Sequence, residues 1–154
     1  MIPKFRAYST KENEMYYPHN DKNVDWTIDD ETGFIAPLVN LGSGMWGMID
    51  KYELMQSVGV RDKNAKCEIY RKDILLVETL SNVSFKAKVV YEQGSFGIVA
   101  LKGDIVDYFP KHWNDTFMPL AELYWIFDCE DGVLDCVEIL GNEFKNPELL
   151  EEQR

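Results

Sequence analysis

Cysteine and histidine are scarce in this chain, and cationic side chains are outnumbered. Its three cysteines, Cys67, Cys129 and Cys136, include no close pair, so no disulfide framework is implied in a reducing cytoplasm. His19 and His112 lie far from the cysteines and from each other, which argues against a structural zinc site. No apolar run approaches the length of a membrane span, Ile74-Leu75-Leu76-Val77 being typical of the longest. The start, Met1-Ile2-Pro3-Lys4-Phe5-Arg6, has no apolar signal core. The expectation is a soluble chain that stays in the cytoplasm where it is made. Internal repeats and low-complexity segments are also missing.

What is present is a chain of 154 residues, 45% hydrophobic and 28% charged, long enough to bury a core as one domain. Residues 1–154 are read as one unit or as two lobes, 1–60 and 61–150. Lys and Arg number 16 against 27 Asp and Glu, a net charge of −11. From Ala121 to Arg154, ten acidic residues face only Lys145 and Arg154, a net −8. Such a field repels phosphate backbones, so direct nucleic-acid binding is disfavoured. Two readings of the acidic region remain: a solubilising surface, or a face that competes for a partner's basic groove.

The pattern along the chain is β-rich. Phe5 to Tyr8 and Met15-Tyr16-Tyr17 flank a charged turn, as in a hairpin. Pro18 to Asp30 reads as an exposed loop anchored by Trp26 and Ile28. The glycines around Leu41-Gly42-Ser43-Gly44-Met45-Trp46-Gly47 lack the Lys-Ser/Thr of a phosphate loop, and are expected to make a turn that packs Trp46 into the core. Arg61 to Lys66 is a polar turn between extended segments. Phe85, Ala87, Val89 and Tyr91 alternate with Ser84, Lys86 and Lys88, as on a half-buried strand. Glu92 to Ser95 then turns into an apolar strand, Phe96 to Leu101, with Gly97 as a bulge or a close approach. With Asp73 to Val77 these give a three-strand meander of an SH3-like or partly open barrel.

Further on, a turn is expected around Lys111 to Thr116, and Pro119 opens a short helix through Leu123. Tyr124 to Cys129 and Val133 to Leu140 are predicted to be a hairpin around Glu130-Asp131-Gly132. In that register Cys129 and Cys136 are diagonal neighbours about 7–8 Å apart, too far for an unstrained disulfide. Asp128 falls opposite Asp135, which means either a different register or a weak site for a cation or an arginine. The segment fails the EF-hand template. Asn146 and Pro147 are placed to start a terminal helical turn carrying Leu149 and Leu150.

No Ser-His-Asp or Cys-His arrangement can be credited, so no catalytic residue, metal ligand or cofactor is nominated. The residues singled out for interaction are Asp128, Glu130, Asp131, Asp135 and Glu138, as an acidic face.

A set of short motifs adds a family resemblance. Phe5 and Arg6, Met15 and Tyr16, Gln56 and Gly59, Asp62-Lys63-Asn64, Ile69 and Tyr70, Asp73, Gly141-Asn142, and Asn146-Pro147 together resemble the YopX-like family of phage and prophage proteins. The resemblance is carried by the two ends and by Gln56 to Asp73, and does not extend to Pro18 to Asp50 or Asp104 to Phe117. In relatives the turn at 62–66 reads Asp-Lys-Asn-Gly-Lys; Ala65 stands at the glycine here, and Asn64 is expected to take the left-handed conformation instead. The resemblance implies a phage or prophage origin, a β-rich fold and structural roles for the motif positions, and brings no assigned activity with it.

Three functions are weighed. The first is a non-enzymatic accessory module that binds another protein and forms a homo-oligomer, using some of its 4 Trp, 8 Tyr and 8 Phe at an interface. The second is an acidic decoy that blocks a host nuclease or DNA-binding protein. The third is a small metal-dependent enzyme.

Overall fold

The computed structural model describes residues 4–18, 22–28, 31–32, 35–48, 51–78, 84–92, 94–101 and 117–151. The chain divides into two compact units, Met1–Gln56 and Ser57–Arg154.

In the first unit, β1 (Phe5–Ser9) and β2 (Glu14–Tyr16) form the expected hairpin, with Ala7 opposite Tyr16 and Tyr8 opposite Met15. On its other edge β1 pairs antiparallel with Tyr52 to Gln56, the first half of β6 (Tyr52–Arg61). Ala7, Tyr8 and Met55 are buried there. A separate antiparallel sheet is built from β3 (Val24–Ile28), β4 (Ile35–Gly42) and β5 (Met45–Met48), in that order. The supposed loop from Pro18 to Asp30 therefore contains a strand, whose residues Val24 to Ile28 face Val39 to Ile35. Trp26 does anchor it, packing edge-on against Phe5 at 6.0 Å. The Gly42-Ser43-Gly44 turn is present as expected. Trp46 is not in a core, however: it is 44% exposed, because β5 closes the sheet as its edge strand.

The second unit holds the main apolar core. The predicted meander is formed by β8 (Asp73–Glu78), β9 (Ser84–Glu92) and β10 (Ser95–Ala100). It is extended on one side by β11 (Phe117–Pro119) and on the other by β12 (Val137–Asn142). The resulting five-stranded antiparallel sheet curls into a half-barrel. The period-two pattern of β9 is obeyed at Phe85, Ala87 and Val89, which are buried, whereas Tyr91 is exposed at the strand's end. These residues meet Leu75, Val77, Ile98, Leu134 and Val137 in one cluster. Burying each large aliphatic side chain contributes about 1.5–3 kcal/mol, offset by the entropy of ordering it. The second half of β6 pairs with β7 (Glu68–Tyr70) across an irregular register, and its last residue, Arg61, bridges to Val133.

The expected final hairpin is replaced by a helix and a strand with a different partner. Leu120–Ile126 forms α1, with Pro119 at its N-cap. Its Leu, Ala and Glu residues favour a helix, and Leu120 and Leu123 supply a buried stripe. The helix stops at a Schellman-type turn: the Cys129 N–H donates to the Tyr124 carbonyl at 2.9 Å and the Asp128 N–H to that of Trp125 at 3.2 Å. Asp128 takes the left-handed conformation (φ 51) where glycine is more usual. The turn at Asp131-Gly132 is real, with both residues at positive φ and Val133 donating to Glu130. It does not join paired strands, so the proposed opposition of Asp128 and Asp135 does not arise. β12 pairs with β8 instead, from Val137 opposite Val77 to Asn142 opposite Asp73. A short α2 (Glu148–Glu151) follows Pro147. The turn placed at Lys111 to Thr116 lies outside the described residues.

In the turn after β6, Ala65 itself takes the left-handed conformation (φ 57), and Asn64 does not. Asp62 explains why the turn keeps this shape: its carboxylate accepts the Asn64 N–H and holds Asn64 in register. Gly97 is a close approach, as expected. A Cβ there would lie 2.6 Å from the Met118 carbonyl oxygen and against the Phe117 ring. Two substitutions of opposite sign test these positions. Ala65→Gly is expected to raise stability by about 0.5–1 kcal/mol, the relief of left-handed strain exceeding the added unfolded-state entropy. Gly97→Ala is expected to lower it by about 2–3 kcal/mol through overpacking. Urea unfolding of the two variants beside the parent chain measures both.

Candidate functional site

The motif positions of the second unit converge on one polar clasp. Asp62 is buried and accepts from the Ile139 N–H at 3.0 Å, which ties the turn after β6 to β12. Asp73 is also buried and accepts from the Tyr70 N–H at 2.8 Å, closing the turn between β7 and β8. At the end of β12, the Asn142 side chain accepts from the Phe144 and Lys145 N–H groups, while Asn146 Oδ1 accepts from the Asn142 N–H. Gly141 lies where a Cβ would collide with that Asn146 carboxamide. Asn146 therefore secures the turn before α2 rather than supplying a side-chain cap to α2, although its carbonyl accepts from Leu149. Ile69 and Tyr70 are buried beside Asp73, and Pro147 is exposed. Gly59 occupies the irregular stretch of β6, with φ 88.

In the first unit, Phe5, Arg6, Met15, Tyr16 and Gln56 lie on the paired strands β1, β2 and β6. Arg6 is buried. The Tyr16 phenol donates to Glu12; burial first, and then that carboxylate, push it up to about 12.

The nominated acidic residues differ in exposure. Asp128, Glu130, Asp131 and Asp135 are exposed around the segment after α1, next to Trp125, which is 79% exposed. Glu138 is half-buried. It lies 3.4 Å from Lys63 Nζ, which also binds Glu78 at 2.9 Å. Glu78 foremost holds the Lys63 ammonium above its ordinary pKa. No group of three His, Cys, Asp or Glu side chains placed to hold a metal occurs among the described residues. His19 and His112 lie outside them.

A different surface was not legible as such in the sequence. On the β4–β5 hairpin, Leu41, Met45, Trp46 and Met48 are 64%, 62%, 44% and 59% exposed. Leu41 lies over Gly47, where a Cβ would come within 2.9 Å of its side chain. The available signal was the lack of any charged residue from Thr32 to Ile49.

Cys129 and Cys136 are buried in the main core, and Cys67 is exposed. Burial, then the neighbouring Cys129, pushes the Cys136 thiol up to about 12. It stays neutral at physiological pH and is a poor nucleophile.

These features define a mainly β protein with a clasped half-barrel and no assembled catalytic constellation among its described residues. Residues 4–151 match the model of the YopX protein family, and the chain belongs to that family. It is similar in fold to the crystal structure of protein YopX from Bacillus subtilis, at 19% identity and a TM-score of 0.59, over 96% of this chain and 97% of that one. No match to a curated protein was found. Among the described residues no helix is long and apolar enough to cross a membrane.

The cysteine environments give a two-part expectation. Iodoacetamide should add to one thiol per native chain, Cys67, and to three after denaturation, as read by mass spectrometry. The unfolded Cys136 thiol ionises near 9, whereas the folded one holds its proton to about 12. Across that window the native state binds more protons, so Cys136 makes stability fall as pH rises. Comparing the parent chain with Cys136→Ala from pH 8 to 11 should show a shallower alkaline loss in the variant.

Proposed function

We propose that this protein is a non-enzymatic accessory module of a phage or prophage, and that it assembles with copies of itself through the β4–β5 hairpin. The observation that carries this reading is the exposed quartet Leu41, Met45, Trp46 and Met48 on and beside an edge strand. Exposed apolar side chains on a sheet edge favour pairing with another strand, since the edge also offers backbone hydrogen-bonding groups. Charge selects the partner. Two chains of net charge −11 repel one another over most approaches, and the uncharged stretch from Thr32 to Ile49 is where they can meet without opposing like charges. A second copy also brings the same apolar strand, as a two-fold interface requires.

Sedimentation equilibrium of the full chain tests this. Reversible dimerisation at micromolar concentration is expected for the parent, and loss of it in Met45→Glu/Met48→Glu, with an unchanged thermal midpoint at dilutions where the parent is monomeric, because both side chains are exposed. A monomer at all concentrations up to about 1 mM, roughly −4 kcal/mol of association free energy, would sink the reading.

A second reading, the acidic decoy, is favoured by the exposed carboxylates Asp128, Glu130, Asp131 and Asp135 beside Trp125. It predicts that a basic nucleic-acid-binding protein is bound at low salt and released as salt screens the contact. Neutralising Asp128, Asp131 and Asp135 together to Asn should abolish that binding in a calorimetric titration; binding indifferent to both changes would exclude it.

A further inference from the structure

One concave site in the second unit has a local charge opposite to that of the chain. Three segments build it: the β7–β8 turn with Arg71 and Lys72, the last half of β9 with Lys88, Tyr91 and Glu92, and the loop after β12 with Glu143. Its volume is about 180 Å³. Backbone hydrogen bonds lock the segments together. The Lys72 N–H donates to the Val89 carbonyl at 2.8 Å, and the Glu143 N–H donates to the Lys72 carbonyl at 3.1 Å. The walls are therefore fixed by the clasp around β8 and β12 rather than by surface side chains alone.

Lys72 takes φ 73, in the left-handed region that a lysine rarely adopts. Such a conformation is strained for any residue with a side chain. Its ammonium lies 3.2 Å from Glu143 Oε1 and 5.5 Å from the centre of the Phe144 ring, which hold it at the rim of the site. Arg71, Lys72 and Lys88 are all partly buried. Three cations against two carboxylates, in a chain with net charge −11, leave a local positive excess.

We infer that this pocket binds a phosphomonoester, with the phosphoryl group among Arg71, Lys72 and Lys88. A guanidinium offers a planar fork of donors to phosphate oxygens and the two ammonium groups add point charges. The volume is below the 300 Å³ or so at which drug-sized ligands are enclosed, so the pocket holds the anionic group and leaves the remainder outside. Tyr91 and Phe96, edge-on at 5.0 Å, lie on the opposite face of β9 from Lys88, so recognition rests on the anionic group alone.

The test is a titration of the isotope-labelled full chain with inorganic phosphate and, separately, with adenosine 5′-monophosphate, followed by amide NMR shifts. Shifts should be confined to Arg71-Lys72, Lys88 to Glu92 and Glu143, and the two probes should bind with comparable affinity, because the phosphoryl group carries the recognition. Lys88→Glu should abolish both responses. Lys72→Gly separates binding from folding, because removing the strained lysine should raise the thermal midpoint while weakening phosphate binding about tenfold or more. The proposal is overturned by no saturable shift with either probe, by shifts scattered outside the site, or by a Lys72→Gly chain that binds both probes as the parent does. Saturable shifts with phosphate but none with the nucleotide would overturn the assignment to a phosphomonoester.

Discussion

The half-barrel depends on how β12 is held against β8, and the anchor is a carboxylate 77 positions away from the amide that it binds. Asp62 leaves β6, turns inward, and accepts from the Ile139 N–H while also bracing the Asn64 N–H. A buried carboxylate left without donors would be costly. With them it becomes a specific tie, because only one register of β12 places the Ile139 amide against it. Neighbouring backbone contacts continue the same seam: Lys63 donates to the Val137 carbonyl, and Leu134 donates to that of Arg61. The apolar cluster supplies most of the burial, but it does not by itself say which strand lies beside β8. The polar clasp does.

That division of labour explains how far the sequence could be read. The alternation of Phe85, Ala87 and Val89 with Lys86 and Lys88 identifies β9 because one face is buried and the other wet. The Gly94 turn and the crowded Gly97 follow from local chemistry. Local chemistry misleads at Tyr124-Trp125-Ile126-Phe127, whose aromatic and β-branched side chains favour a strand when taken alone. Here the preceding Leu120 and Leu123 find a core, and tertiary burial decides for the helix. Its stop was hidden because Asp128 rather than glycine takes the left-handed position. β3 was hidden because polar residues flank it. Trp46 is misplaced by composition for a related reason: a tryptophan between glycines has no periodicity to show whether it faces a core or solvent.

The site residues divide in the same way. Asp62, Asp73, Gly141, Asn142 and Asn146 were recognisable as motif positions, and the structure gives each a bonding or packing partner in the clasp. The surfaces able to do something else lie elsewhere: the apolar β4–β5 hairpin, the carboxylates beside Trp125, and the cations around Lys72. No single stretch of sequence contains the last of these. Arg71 and Lys72 come from the turn before β8, Lys88 from β9 and Glu143 from a loop more than 50 residues later, and only the closure of β12 on β8 brings them to one cavity.

A fold likeness at 19% identity and a TM-score of 0.59 fits this arrangement. A few buried polar ties and glycine-sized gaps set the path of the backbone, and a residue filling one of them must keep its hydrogen bonds or its small volume. An exposed strand face, an acidic loop or a lysine at a turn carries no such obligation, so its composition can change without altering the strand order. The strained conformation of Lys72 departs from that freedom. Glycine or asparagine accepts positive φ at lower cost than lysine. Lys72 is nonetheless held there, with its ammonium braced by Glu143 and Phe144. The same clasp that determines the fold thus also sets the position of the charge, and a change in strand pairing at β12 would remove both.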